Sequence, residues 1–168
     1  MITIHPLSDV PDARAVCIDW SAAEWSAESG FTPEDWENEF QRIEQDPIDE
    51  IFVAMLEGMP VGMVWLVEHE QVESHAHLTP WLSCLMVSQD HRGQGVAQAL
   101  VGHVEAYAFA GGDDVIYLLT DSPTYYFTLG WEVEDTAPLG ERSVFVMKRP
   151  IAVPDAGAGL NEEDPSPE

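Results

Sequence analysis

The N-terminal third of the chain changes from a strand pattern to a helical one. Residues 2–7 predict a short strand. A helix follows, with Ser8 or Asp9 as its cap and Pro11 in its first turn. Its predicted apolar face consists of Ala13, Val16, Cys17 and Trp20. A second helix begins at Thr32-Pro33, with a hydroxyl cap and with Trp36, Phe40 and Ile43 as its buried stripe.

The apolar spacing then becomes that of strands. Ile51–Leu56 and Val61–Val67 are apolar runs joined by Glu57–Pro60, which predicts a hairpin. Residues 68–80 are polar and predict a loop, and Leu82–Val87 predicts a buried strand. Beyond it, Ala97, Leu100, Val101, Val104 and Ala108 form the apolar face of a helix that Gly111-Gly112 ends.

The remaining elements complete an α/β (α+β) domain. We expect a strand at Val115–Leu119, a short helix over residues 123–129, and strands at 131–133 and 144–147. This order predicts one domain over residues 1–153, with a central mixed, mostly antiparallel sheet of six to seven strands and about four flanking helices. Residues 154–168 are rich in Pro, Gly, Ala and acids, which predicts a disordered acidic tail.

The charge of the chain is strongly one-sided. The chain contains 31 acidic and six basic residues, which give a formal charge of −25, and Lys148 is the only lysine. Molar salt shortens the screening length to about 3 Å and relieves such self-repulsion. We therefore predict a halophilic protein; the alternative is an acidic mesophilic protein with cationic partners. Nucleic-acid binding is disfavoured, since no basic patch could neutralise phosphates.

Other compositional features point to a cytoplasmic protein. No apolar run is long enough to span a bilayer, and the first residues do not resemble a signal peptide, so we expect no membrane partner. Cys17 and Cys84 lie among apolar neighbours and are interpreted as small core residues.

The clearest candidate for chemistry is the turn Arg92-Gly93-Gln94-Gly95-Val96-Ala97, between a buried strand and an amphipathic helix. Its glycines allow close approach of the backbone to a ligand, and the amides at the helix N-terminus favour an anion such as pyrophosphate. A Gly-x-Gly sequence alone is a weak signal, and this one lacks the lysine of a P-loop.

Two motifs at the correct separation resemble the GNAT acetyltransferase superfamily. Arg92, Gly95 and Ala97 match its Arg/Gln-x-x-Gly-x-Gly/Ala signature, and Tyr125–Trp131 matches its aromatic–Tyr motif with Gly and an aromatic residue at the end. Leu85-Met86-Val87 matches the family strand whose end splays open. The resemblance covers roughly residues 3–150.

The resemblance implies a site for acetyl-CoA as cosubstrate, with no metal. The backbone from Arg92 to Ala97 (Arg92, Gly93, Gln94, Gly95, Val96, Ala97) would hold the pyrophosphate, and Leu85, Met86 and Val87 would bind the pantetheine arm. Tyr126 would contact the cofactor and protonate the departing thiolate as general acid; the alternative is a packed core tyrosine. The sequence departs from the family in supplying almost no cation besides Arg92 near the phosphates.

No motif identifies the general base that a protonated amine would need. The candidates follow the third and fifth predicted strands: Glu68, Glu70, Glu73, His75, His77, Asp121 and Ser122. A metal site at His75-x-His77 is disfavoured, because no third ligand stands at a diagnostic spacing.

The resemblance therefore predicts an N-acetyltransferase that moves an acetyl group to a primary amine by direct transfer in a ternary complex. The acceptor is a small amine or a peptide amine, and the charge does not choose between them. The alternative is a non-catalytic acyl-CoA-binding or sensor domain on the same fold. Homodimers are common in the superfamily, so a second copy is a candidate partner.

Overall fold

A computed structural model of the protein describes residues 1–151. The strands are β1 (Ile2–Pro6), β2 (Glu50–Leu56), β3 (Met59–Val67), β4 (Trp81–Val87), β5 (Val115–Thr120), β6 (Glu132–Leu139) and β7 (Arg142–Pro150). The helices are α1 (Arg14–Ser29), α2 (Pro33–Gln45), α3 (Val96–Ala110) and α4 (Pro123–Phe127). The predicted tail, residues 154–168, and the predicted domain end at 153 lie outside the described residues.

The seven strands form one sheet in the order β1-β2-β3-β4-β5-β7-β6. Every neighbouring pair is antiparallel except β4–β5, which is parallel and joined only where Trp81 pairs with Tyr117. Beyond that point β4 and β5 no longer pair, so a gap opens in the middle of the sheet. The prediction of a mixed, mostly antiparallel sheet with four helices is confirmed.

Each face of the sheet carries its own core. Helices α1 and α2 cover one face, where Phe40 packs edge-on against Trp65 with ring centroids 5.3 Å apart. Helix α3 covers the other face through Leu100 and its neighbours. A Cβ on Gly62 would lie 2.9 Å from the carbonyl oxygen of Met86 and 3.0 Å from Leu100. The absence of a side chain there lets α3 lie close against β3 and β4.

The two N-terminal helices begin differently from each other. Helix α2 has the predicted cap: Asp35 N–H donates to the Thr32 hydroxyl at 3.1 Å, and Thr32 N–H donates back to the Asp35 carboxylate at 2.8 Å. Helix α1 starts only at Arg14, after 3₁₀ turns at Leu7–Asp9 and Pro11–Ala13. The predicted caps Ser8 and Asp9 are wrong, because both lie inside the first of these turns.

Two further boundaries differ from the sequence prediction. Helix α4 ends at Phe127, and residues 128–130 form turns back to it. The last two strands are longer than predicted and form a hairpin of eight and nine residues. Within residues 1–151 no helix is long and apolar enough to cross a membrane.

Candidate active site

The turn between β4 and α3 presents free backbone amides. Gly93 and Gly95 have φ values of +77° and +85°, in the left-handed region that side chains disfavour. A Cβ at either position would meet nothing within 4 Å, so the backbone conformation, and not crowding, requires glycine. No side chain caps α3. Its first-turn amides are therefore open to an anion, which the helix dipole also attracts.

Arg92 is electrostatically unlike the other basic residues. Its Nε donates to the Val87 carbonyl at 3.1 Å, and within residues 1–151 it makes no ion pair with a carboxylate. The other five cationic side chains all do: Arg14 with Glu37 and Glu44, Arg42 with Glu39 and Asp49, Arg142 with Glu28 and Asp121, Lys148 with Glu134, and Arg149 with Glu105. The turn thus combines free amides with a positive charge that no carboxylate offsets.

Strand β4 leads from this turn to the gap in the sheet. On its β3 side, Met86 pairs with Met63 and Val87 with Gly62. On its β5 side, no strand pairs with it beyond Trp81 in the described chain. Cys84 has a φ of +52° at a bulge in the β3–β4 pairing, so the strand bends there. Leu85, Met86 and Val87 consequently border an open edge with free backbone groups.

A cleft of about 980 Å³ opens at the other end of the gap. One wall is formed by the end of α1, the residues after it, and α2. The floor is formed by β3, β4 and the loop after β3. The opposite wall is formed by the end of β5, α4 and the β6–β7 turn. The polar and aromatic lining residues are Glu24, Trp25, Glu28, Ser29, Phe31, Trp36, Glu39, Arg42, Trp65, His69, Glu70, Gln71, Ser83, Thr120, Asp121, Tyr126 and Arg142.

Tyr126 lies on α4 and lines this cleft. Its ring packs edge-on against Trp131 at 6.1 Å, and burial raises the pKa of its phenol to about 12. Its carbonyl accepts hydrogen bonds from Leu129 N–H and Trp131 N–H, both at 3.0 Å. Arg149 donates to the carbonyl of Gly130 at 3.0 Å. The turn after α4 therefore holds the phenol in place, in a protonated form.

Glu70 is the carboxylate most enclosed by the cleft. The Ser83 hydroxyl donates to its Oε2 at 2.7 Å, and Gln71 N–H donates to its Oε1 at 3.1 Å. Burial raises the pKa of the Glu70 carboxyl, against the opposing effect of these hydrogen bonds. The neighbouring Cys84 thiol also lines the cleft, and burial, with the nearby Glu70 charge, raises its pKa as well.

The structure separates the other base candidates. Asp121 lines the cleft, where Arg142 donates to its carboxylate at 2.8 Å. Ser122 follows it and donates to Asp121 at 3.4 Å. Glu68, Glu73 and His77 do not line the cleft.

His75 is buried on the far side of the loop that follows β3. Its Nε2 lies 3.0 Å from Asp135 on β6, and its Nδ1 lies 2.7 Å from the Ser74 hydroxyl. The 3₁₀ turn at residues 73–75 packs against β6 and carries these side chains away from the cleft. His75 thus joins the loop to the sheet.

Sequence reasoning missed the α1–α2 wall of the cleft. Glu24, Trp25 and Glu28 lie in the second half of α1, and Glu39 lies on α2 beside the buried stripe. The available signal was a pair of tryptophans and several acids on the half-exposed face of a long helix. Within residues 1–151 no group of three or more His, Cys, Asp or Glu side chains could hold a metal ion.

Comparisons with known proteins agree with this geometry. Residues 16–127 match the sequence model of the "Acetyltransferase (GNAT) family". No curated protein sequence matches the chain significantly. An aminoglycoside 6'-N-acetyltransferase solved with coenzyme A superposes with a TM-score of 0.73 at 17% identity, covering 89% of this chain and 97% of its own.

Two further solved structures show the same fold. A phosphinothricin acetyltransferase from Sinorhizobium meliloti, solved with acetyl-CoA, gives a TM-score of 0.67 at 17% identity over 90% of this chain and 89% of its own. A ribosomal-protein-alanine N-acetyltransferase from Brucella melitensis gives 0.64 at 19% identity over 89% and 99%. Since the family model spans two thirds of the sequence and the gap, turn and cleft are all present, this chain belongs to the GNAT acetyltransferase family.

Proposed function

We propose that the protein transfers the acetyl group of acetyl-CoA to a primary amine by direct attack within a ternary complex. One observation carries this proposal. The gap between β4 and β5 connects a turn with open backbone amides at one end with a cleft lined by an enclosed carboxylate and a tyrosine at the other.

The donor side relies mainly on the backbone. The amides from Arg92 to Ala97 would hold the pyrophosphate, with Arg92 as the local cation. The free edge of β4 at Leu85, Met86 and Val87 would bind the pantetheine arm as an added strand does. An amide of this edge would also polarise the thioester carbonyl, because the cleft borders the same strand as far as Leu85.

The acceptor side supplies a base. Glu70 lines the cleft next to β4, and its raised pKa makes it a better proton acceptor than an ordinary carboxylate. We assign it the removal of the proton from the incoming ammonium. Asp121, the other carboxylate among the base candidates that reaches the cleft, is already engaged by Arg142.

The chemical step then balances as follows. The amine nitrogen bonds to the thioester carbonyl carbon, the carbon–sulfur bond breaks, and the sulfur takes a proton from the Tyr126 hydroxyl. The nitrogen, positively charged after attack, loses its second proton to water, and a proton from water restores the Tyr126 hydroxyl. Cys84 is a poor alternative nucleophile, since its raised pKa keeps the thiol protonated. This favours direct transfer over an acyl-cysteine intermediate.

We further propose that the protein works in a salty cytoplasm. A net charge of −25 on a chain of 168 residues, with five of its six cations already in ion pairs, leaves many carboxylates without partners. Molar salt would screen their repulsion, as well as their repulsion of the polyanionic cofactor.

The test is an assay of thiol release from acetyl-CoA across a panel of amines in molar KCl, with acetyl-CoA binding measured separately by calorimetry. Amine-dependent release of free thiol supports the proposal. Binding of acetyl-CoA without turnover of any amine would contradict it and would favour a sensor domain.

A further inference from the structure

Helix α4, which carries Tyr126, has only five residues. A helix this short is not stable by itself, so its position depends on contacts with the rest of the domain. Beyond Phe127 the chain makes turn hydrogen bonds back to α4, and Trp131 N–H donates to the Tyr126 carbonyl at 3.0 Å. The Tyr126 ring also packs against the Trp131 ring. The position of the phenol is therefore set largely by where Trp131 lies.

The Trp131 side chain is hydrogen-bonded to a carboxylate on α3. Trp131 is 2% exposed, and its indole Nε1 donates to Glu105 Oε2 at 3.2 Å. The same oxygen lies 3.6 Å from Nε of Arg149 on β7. Arg149 also donates through Nη1 to the Gly130 carbonyl at 3.0 Å. One carboxylate thus joins α3, β7 and the turn after α4.

This ion pair is partly shielded from water. The side chains of Glu105 and Arg149 are 21% and 35% exposed, and the buried Nε of Arg149 makes no hydrogen bond within residues 1–151. In that part of the chain, Glu105 supplies the carboxylate that pairs with the guanidinium. Removing it would leave a partly buried cation without a counter-charge, which is unfavourable. We expect the guanidinium then to turn toward water and to release the Gly130 carbonyl.

The contact between Arg149 and the turn is close. Gly130 has a φ of +91°, and a Cβ at this position would collide with the guanidinium. The guanidinium therefore lies directly against the backbone, four residues after Tyr126. Movement of Arg149 would remove a support from the turn that positions the phenol.

Helix α3 connects these contacts to the cofactor. Its first turn follows Gly95 and belongs to the proposed pyrophosphate site, and Glu105 lies about 14 Å further along the same helix. The general acid must reach the sulfur of the cofactor, and a misplacement of about 1 Å can cost about 10²-fold in rate. Glu105 therefore ties the acid to the helix that is proposed to bind the acyl donor.

We propose that Glu105 is a positioning residue for acetyl transfer, which holds the Tyr126 phenol against the cofactor sulfur through Trp131 and Arg149. Glu105 does not line the cleft, so it acts through these two side chains and not on the substrates. This inference rests on the proposed function, and it deepens that function by naming a residue outside the cleft on which the general acid depends.

The test measures kcat, the KM for the amine and the affinity for acetyl-CoA of the full-length Glu105→Ala variant in molar KCl. We expect kcat to fall by about tenfold or more, with KM and affinity within about twofold of the wild-type values. Glu134→Ala is the matched control, because it removes another carboxylate that pairs with a β7 cation, Lys148, and should leave kcat unchanged. A folded Glu105→Ala protein with wild-type kcat would overturn the inference.

A double-mutant cycle separates positioning from a general loss of structure. In the Tyr126→Phe background the acid is already absent, so Glu105→Ala should lower kcat further by less than about twofold. A purely structural effect would lower kcat by the same factor in both backgrounds, and that result would overturn the inference. If Glu105→Ala does not fold, Glu105→Gln is judged by the same criteria, since it keeps an oxygen for the Trp131 indole but loses the charge opposite Arg149.

The proposed function can fail separately. If amines are acetylated and Tyr126→Phe is slow but Glu105→Ala is not, only this inference is wrong. If amines are acetylated and Tyr126→Phe keeps wild-type kcat, Tyr126 is not the acid, and the inference is wrong while acetyl transfer stands. If acetyl-CoA binds and no amine at all is acetylated, both are wrong.

Discussion

The Ser83 hydroxyl donates a 2.7 Å hydrogen bond to the carboxylate of Glu70. This contact joins the strand that borders the proposed thioester site to the loop that borders the proposed acceptor site. It also opposes the effect of burial, since a donor to the ionised carboxylate lowers the pKa that burial raises. The basicity of Glu70 therefore depends on a residue of the neighbouring strand.

Replacing Glu70 by Gln should remove the base. Because burial raises the pKa of Glu70, wild-type kcat/KM should fall as pH decreases through a value above the ordinary carboxyl range near 4.3. Glu70→Gln should lower kcat/KM by about 10²-fold and abolish this acid limb. Glu73→Gln makes the same charge change outside the cleft; if it has the larger effect, the assignment is wrong.

Ser83→Ala tests the hydrogen bond itself. Without the donor, the pKa of Glu70 should rise further, so the acid limb of the pH profile should shift to higher pH. A stability effect alone would lower activity at every pH. An acid limb whose midpoint does not change would show that the Ser83 hydrogen bond does not affect the pKa of Glu70.

Tyr126→Phe should remove the general acid. We expect kcat to fall by about 10²-fold or more, with the affinity for acetyl-CoA nearly intact. The control is Tyr125→Phe, since Tyr125 is the adjacent, more exposed ring and should tolerate the change. Equal activities of the two variants would show that Tyr126 contributes to packing and does not act as the general acid.

Gly95→Val should prevent cofactor binding. A side chain at φ +85° is strained, so the turn should change shape and its amides should lose their orientation. Gly58→Val provides a matched control, because Gly58 has a φ of +81°, equally open space, and a place in the distant β2–β3 turn. Calorimetry should show loss of acetyl-CoA binding only in Gly95→Val; a folded protein with unchanged affinity would make the turn merely structural.

Stability and activity should both rise with salt. The screening length falls from about 10 Å at about 0.1 M to about 3 Å at about 1 M, which removes most of the repulsion among the carboxylates. Salt also weakens the attraction of Arg92 for phosphate, but this is one side chain against dozens of repelling charges. The melting temperature and kcat/KM should both increase between about 0.1 and about 2 M KCl. A protein most stable and most active at the low end would contradict the proposed halophilic adaptation.

The sequence predicted the fold well because each element carries its own periodicity. Helix α3, with Leu100 and Val104 on its buried face, and the β2–β3 hairpin needed no tertiary information. The start of α1 was predicted wrongly, since Ser8 and Asp9 resemble caps in any local reading. Only the backbone shows that they lie in a preceding 3₁₀ turn.

The donor and acceptor sides of the site differ in how far the sequence could locate them. The turn at Arg92–Ala97 and Tyr126 stand in contiguous motifs, so the family resemblance indicates a position for each of them. Glu70 and His75 belong to one polar loop and look alike as base candidates. Their separation depends on which side of the loop faces β4 and which faces β6, and this is a matter of packing.

The gap between β4 and β5 also bears on how the acceptor could be changed. On the proposed donor side the binding groups are mostly backbone amides, whose positions depend on the fold and on two glycines. On the proposed acceptor side they are side chains of α1, α2 and the loop after β3. A new acceptor preference should therefore be obtainable by directed evolution restricted to the cleft walls, with the same acyl donor retained throughout.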